Sequence, residues 1–214
     1  MSFDETLHCL SASDQKIVGD IMNLLTGIDR QTEEFSKQSG LKCKTGCGAC
    51  CENPEIETTV AEVLPLAVHL WAQRSGEGVL DAIQSNDAQG VCVFYQPDPI
   101  VKGKGRCKAY DYRPGLCRLF GFAAHQNKYG QQELLTCKVI KDSQSEACQR
   151  VQEQLQQGEI TVPLFSAHSF AVANIDPVNG HKLFPINKAV SLAFEKIGFY
   201  IGHSPSSSDT DRIK

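Results

Sequence analysis

The sequence predicts a mainly α fold in which helices flank an irregular, cysteine-rich segment carrying short β pieces, with a small α+β arrangement as the alternative. Three observations predict it. Apolar residues recur at helical spacing toward both ends of the chain, the periodicity breaks down between Gly90 and Leu119, and eight of the ten cysteines fall between positions 43 and 137.

Residues 11–38 read as the first helix: Ser11 and Asp14 suit a capping box, and Ile17, Ile21, Leu24, Leu25 and Ile28 share one face. Ser39-Gly40 marks its end, and the knuckle CKTGCGACC follows. Thr58-Thr59 with Glu62 is a second capping box, opening a helix whose apolar face is Val60, Val63, Leu64, Ala67, Leu70 and Trp71. Pro65 sits late for a first-turn proline, which predicts a kink or a start a few residues further on. Helical character resumes in VLDAIQ after Gly76 and Gly78. CVFYQ and CKAY read as extended pieces of a small hairpin around PDPIVKGKG, Pro114 suits the first turn of a short helix GLCRLF, and LLTCKVIK reads as a strand. From Ser143 the pattern is helical again, through SEACQRVQEQLQQ, TVPLFSAHSFAVANI and INKAVSLAFEKIGFYIG. The expected organisation is a cysteine-rich domain with its N-terminal helix over 1–142, a helical region packed on it over 143–203, and a mobile polar tail over 204–214.

At 214 residues the chain suits one domain with a helical appendage. Its 41% hydrophobic and 21% charged residues are ordinary globular chemistry. A formal charge of −4 supplies no global basic field for nucleic acid or anionic lipid. The longest apolar stretch, Val63 to Ala72, contains Pro65 and His69 and is too short to cross a bilayer. The opening MSFDETLHCL is acidic and has no apolar signal core, so the expected location is cytoplasmic. In that reducing compartment structural disulfides are rare and clustered thiols bind metal.

The spacing sharpens this inference. Cys47-Gly48-Ala49-Cys50 is a C-x-x-C knuckle, and glycine there permits a left-handed turn that gathers sulfurs around one cation. Cys43 lies close enough to add a third sulfur. Cys50 and Cys51 are adjacent, so their Cα atoms stand about 3.8 Å apart, below the usual disulfide span of about 4.4–6.8 Å. Cys51 therefore suits a second ion, or approaches a cluster from another direction. The remaining thiolates must come from Cys92, Cys107, Cys117 and Cys137, and such short-range plus long-range ligation is how metal pins a loop-rich segment. The pattern points to metal and leaves zinc, iron or an iron–sulfur cluster open.

CKTGCGACC, the Thr-x-x-Glu helix start, CVFY and CKAYDYRPGLCRLF together resemble the YkgJ-like cysteine-cluster family, the CxxCxxCC type, whose members are described as zinc- or iron-chelating domains. Part of the pattern recurs in flagellin lysine-N-methylases. The resemblance covers roughly 43–137. It implies metal ligation by Cys43, Cys47, Cys50, Cys51, Cys92, Cys107 and Cys117, with Cys137 as an eighth. Two departures stand out: three residues rather than two separate the first pair of cysteines, and CRLFG lacks the proline that many members carry after the aromatic.

Clustered thiolates around zinc or iron are anionic, a four-thiolate zinc site carrying about −2. Arg113 and Arg118 flank Cys117 and are candidates to offset that charge by hydrogen bonding to sulfur, the alternative being a carboxylate such as Asp111. Cys9, in a stretch read as unstructured, and Cys148, on an amphipathic helix, read as free or packed thiols. His125 reads as a surface or core histidine and His69 as packed; His168, His181 and His203 lack ligand spacing. Tyr110, Tyr112 and Phe120 read as packing around the cysteines.

Three function classes compete: a metal-binding protein, an iron–sulfur enzyme (oxidoreductase or methyltransferase-related), and a zinc module that reads nucleic acid. Cys43-x-x-x-Cys47-x-x-Cys50 matches radical S-adenosylmethionine spacing, but the strand content is too low for their β/α barrel and no Gly-rich cofactor loop is evident. Lys102, Lys104, Arg106 and Lys108 form a small basic patch beside Cys107, against a negative overall charge. The metal-binding reading leads, with a metal ion as the one partner the sequence names.

Overall fold

A computed structural model describes residues 1–85, 91–101 and 104–204. The polar tail beyond Ser204, and Lys102 of the basic patch, lie outside the described residues. Among those described, nine α-helices carry most of the chain: α1 Phe3–His8, α2 Ala12–Ser39, α3 Val60–Ala72, α4 Gly76–Ser85, α5 Gly115–Leu119, α6 Lys138–Ser143, α7 Ser145–Gln157, α8 Phe165–Ile175 and α9 Ile186–His203. Six short strands pair antiparallel in three two-stranded sheets: β1 Glu57–Thr58 with β6 Phe184–Pro185, β2 Tyr95–Pro97 with β3 Gly105–Cys107, and β4 Ala123–Gln126 with β5 Gln132–Leu135. The fold is mainly α with short β pieces, as the periodicity indicates.

The helix starts follow from capping chemistry, with instructive exceptions. Thr59 and Glu62 form the full reciprocal box at α3. The helix accommodates Pro65 in its interior and begins at Val60, so the later start is not taken. At α2 only half of the box exists. The Ser11 hydroxyl accepts from the Asp14 N–H, but the Asp14 carboxylate is buried and accepts from Lys196 Nζ (2.5 Å) and Tyr200 Oη (2.8 Å) of α9. Burial pushes the Asp14 carboxyl up, but these hydrogen bonds and the Lys196 charge outweigh it and hold the group below its ordinary value.

Three expectations need correction. The N-terminal stretch is not unstructured: Ser2 and Glu5 box the start of α1, Cys9 closes it, and Phe3 and Leu7 pack on the core. LLTCKVIK is split. The strand ends at Leu135, and Cys137 caps α6, its sulfur accepting from the Ile140 N–H at 3.4 Å while Ile140 is buried. The segment before Phe165 stays extended, because Pro163 disfavours helix and its carbonyl accepts from Ala124 N at 2.9 Å.

Helix α3 and helix α9 face each other across the largest core cluster. Val63, Leu64, Ala67 and Val68 meet Ala189, Val190, Ala193, Phe194 and Ile197, and Trp71 Nε1 donates to the Phe194 carbonyl at 3.0 Å. Each large side chain buried there contributes roughly 1.5–3 kcal/mol relative to exposure. Helix α2 is the second support. Its Ile21, Leu25 and Ile28 pack with Leu119, Ala123 and Val172, and its Phe35 packs with Leu41, Ile140, Val151 and Leu155. The irregular cysteine segment is held against these helices.

Candidate metal centre

Backbone hydrogen bonds tie the knuckle to the β2–β3 hairpin. Cys47 N donates to Lys44 O (3.0 Å), Cys51 N to Gly48 O (2.9 Å) and Gly105 N to Gly46 O (3.0 Å), and Cys47 bridges Lys104 in antiparallel register. Cys92 N donates to Cys51 O at 3.3 Å, which brings the stretch before β2 alongside. Gly46, with φ +70°, takes the left-handed turn, not Gly48. Gly48 is required for a different reason. The Tyr95 ring lies against both Gly48 and Gly105, where an added Cβ would stand 2.4 and 2.3 Å from the ring. Tyr95 Oη completes the clasp by donating to Glu52 Oε1 at 2.8 Å.

This framework brings Cys43, Cys47, Cys50, Cys51, Cys92, Cys107 and Cys117 to the lining of one cavity of about 680 Å³, together with Arg113 and Arg118. All seven are free thiols. The Cys51 thiol is the neighbour that shifts both Cys50 and Cys107. It lowers Cys50 to about 6 and Cys107 to about 7, and is itself raised. Burial lifts Cys92 to about 11 and Cys117 to about 12. Cys137 lies elsewhere: it lines a second depression beside Cys148, although its charge reaches Cys43.

Arg113 is the cation the thiols share, its charge favouring the thiolates of Cys43, Cys50, Cys107 and Cys117. It lies over the Tyr110 ring, 3.5 Å from the centroid, and leaves Tyr110 59% exposed rather than packed. Arg118 is buried and spends its N–H groups on the Asp29 carboxylate and on the carbonyls of Arg113 (2.7 Å) and Asp111 (2.6 Å). It therefore braces the turn that carries Cys117. Tyr112 stacks on His69 at 4.4 Å, and His125 pairs with Glu133 across the β4–β5 hairpin at 3.2 Å.

Sequence reasoning missed one support. Glu62, 4% exposed, accepts from Thr58 Oγ1 and Thr59 Oγ1 (both 3.0 Å), from Gly115 N (2.8 Å), and pairs with His168 Nε2 (2.9 Å). Burial raises the Glu62 carboxyl, but the hydrogen bond and charge of His168 and the donated N–H groups outweigh it, so its pKa falls below the ordinary value. The pair fastens the start of α5 at Gly115, two residues before Cys117. An added Cβ on Gly115 would stand 2.2 Å from the His168 ring. Only the proline and glycine of RPGLC hinted at so close an approach.

The donor set fits a soft or borderline cation: seven thiols, two already acidified, with one arginine placed to offset thiolate charge. Among the described residues no three His, Cys, Asp or Glu side chains already converge on one ion position. Ligation of one ion by three or more of these thiols requires them to move from these positions.

A pH dependence follows. Unfolded thiols titrate near 9.0, whereas Cys92 and Cys117 hold their protons to about 11 and 12. Between those values the folded chain binds more protons than the unfolded one, so stability falls as pH rises through that window. The reduced, metal-free protein should lose melting temperature between about pH 9 and about pH 11, above the range in which the lowered Cys50 and Cys107 act in the opposite sense. Metal-loaded protein, whose thiols are already ionised, should lose less; equal losses would contradict the assignment.

Helices carrying a thiol-lined cavity, with all ten cysteines free, define a mainly α, cysteine-rich protein. Residues 42–138 match the family model CxxCxxCC, described as "Putative zinc- or iron-chelating domain". No curated protein and no solved structure matches the chain. No described helix is long and apolar enough to cross a membrane.

Proposed function

We propose that the protein chelates zinc or iron through Cys43, Cys47, Cys50, Cys51, Cys92, Cys107 and Cys117, with Arg113 offsetting the thiolate charge and Arg118 bracing the Cys117 turn. The observation that carries this reading is the meeting of seven thiols, from separate stretches of chain, at one cavity. The match over 42–138 to a family described in terms of zinc or iron supports it. Cys137 is left out of the ligand set because it lines the neighbouring depression with Cys148 and not the cavity the seven share.

Serine is a hard, weakly acidic oxygen and replaces thiolate poorly at a soft site. Cys50→Ser and Cys117→Ser should therefore lose metal or fail to accumulate. Cys9→Ser and Cys148→Ser, at thiols outside the cavity, should keep the wild-type metal content. Metal per chain and melting temperature of the four variants decide. Loss at Cys148 with retention at Cys117 would overturn the assignment.

A further inference from the structure

We propose that two carboxamides outside residues 42–138, Asn187 and Gln144, are positioning residues of the metal centre. Each holds the backbone beside a cavity thiol, Asn187 acting through Cys92 and Gln144 through Cys43. This rests on the chelation reading above and extends the support of its ligands to the C-terminal helices.

The clearest case is Cys92. Its Cα joins two peptide units, and fixing both fixes the direction in which the side chain leaves the backbone. Asn187 serves both units. Its Nδ2 donates to the Val91 carbonyl at 2.8 Å, and its Oδ1 accepts from the Val93 N–H at 2.9 Å. The partners also fix which way the amide faces, since oxygen meets a donor and nitrogen an acceptor. The other polar groups of the same two units are occupied as well. Cys92 N donates to Cys51 O at 3.3 Å, and Tyr95 N donates to Cys92 O at 2.9 Å. All four backbone groups around Cys92 are thus bonded, two of them by Asn187.

The mount is firm. Asn187 is the second residue of α9, where the Ile186 N–H donates to Ile56 O at 2.8 Å and Ile186, Ala189 and Val190 are buried. Its side chain reaches across to the cysteine segment, and no side chain caps the helix start.

Gln144 repeats the device at the first cavity cysteine. Its Oε1 accepts from the Lys42 N–H at 3.1 Å and its Nε2 donates to Lys42 O at 2.7 Å, on the residue directly before Cys43. Gln144 stands at the corner between α6 and α7, its own N–H donating to Ile140 O (2.8 Å) and its carbonyl accepting from Cys148 N (2.9 Å). A carboxamide carries a donor and an acceptor side by side, so in both places it stands in for the peptide of a neighbouring strand. Removing supports that orient ligands from outside the coordination sphere costs about 10–100-fold in metal affinity.

A third amide supplies the control. Gln152 accepts from Leu134 N (2.8 Å) and donates to Gln132 O (2.9 Å), the same bracket on β5, a strand that carries none of the seven cavity thiols. The bracket itself does not mark the metal centre; its place beside a cavity thiol does.

The test uses the full chain, reduced and metal-free, as wild type, Asn187→Ala, Gln144→Ala and Gln152→Ala, titrated with cadmium against a competing chelator. Asn187→Ala and Gln144→Ala should each weaken cadmium binding about 10–100-fold and lower the thiolate-to-metal ultraviolet absorbance per bound ion. Gln152→Ala should keep the wild-type affinity and absorbance. Without metal, iodoacetamide should alkylate Cys92 faster in Asn187→Ala than in the wild type, read by mass spectrometry. Wild-type affinity in both Asn187→Ala and Gln144→Ala would overturn the proposal and leave chelation standing, and loss at one alone would strike the other from the role. An equal loss in Gln152→Ala would reduce all three amides to general supports of the fold and overturn the proposal too. No cadmium held by the wild type would overturn chelation itself. Should Asn187→Ala fail to fold, Asn187→Asp, which keeps the acceptor for the Val93 N–H, takes its place in every comparison.

Discussion

Stripping zinc or iron from the reconstituted protein with a chelator is expected to raise amide exchange sharply over 43–58 and 104–119 while α2, α3 and α9 stay protected. The contrast follows from what holds each part. Helices α3 and α9 bury Leu64, Val68, Phe194 and Ile197 against each other, and α2 buries Ile21 and Phe35. The knuckle and the β2–β3 hairpin have few apolar anchors and strands of only three residues. Structural zinc in small sites binds with an apparent energy of about 10–16 kcal/mol, comparable with the ~5–15 kcal/mol stability of a whole domain. Metal therefore dominates the energetics of this segment. Equal protection with and without metal would sink the idea.

Replacing Glu62 with alanine is expected to destabilise the loaded protein by about 3–5 kcal/mol, the usual cost of breaking a buried pair from one side. The change strips His168 of its partner and leaves the Gly115 N–H and two threonine hydroxyls without an acceptor, at a place where water does not reach. Glu62→Gln keeps one oxygen and should lose less. Urea denaturation of both variants measures the difference. A loss below about 1 kcal/mol for Glu62→Ala would show that the Glu62–His168 pair does not hold the start of α5.

The parts of this molecule that were legible in the sequence are those whose signal is local. Thr59 and Glu62 lie three residues apart, and the capping box they form is the one observed. The apolar stripes of α2 and α9 repeat often enough to mark two long helices. The cysteine spacing singles out thiols that meet, because Cys43, Cys47, Cys50 and Cys51 fall within nine residues and all line the cavity. What was not legible depends on residues far apart in the chain. Glu62 and His168 are separated by 106 positions, and nothing near either one announces the other. Asp14 looks like a cap but serves Lys196 and Tyr200. Cys137 stood beside the other cysteines as an eighth candidate, and nothing near it in the sequence showed that it caps α6 and lines a separate depression with Cys148. Gly48 suggested a left-handed turn, yet its small size matters because Tyr95 lies against it.

The most direct test of the central claim is metal retained per chain. Reduced protein is loaded anaerobically with zinc, with iron, or with iron and inorganic sulfide, desalted, and assayed for metal alongside a visible spectrum. The account predicts at least one tightly held ion per chain, colourless with zinc and brown if an iron–sulfur cluster is assembled. Less than one equivalent of either metal retained by the folded, fully reduced protein would contradict it.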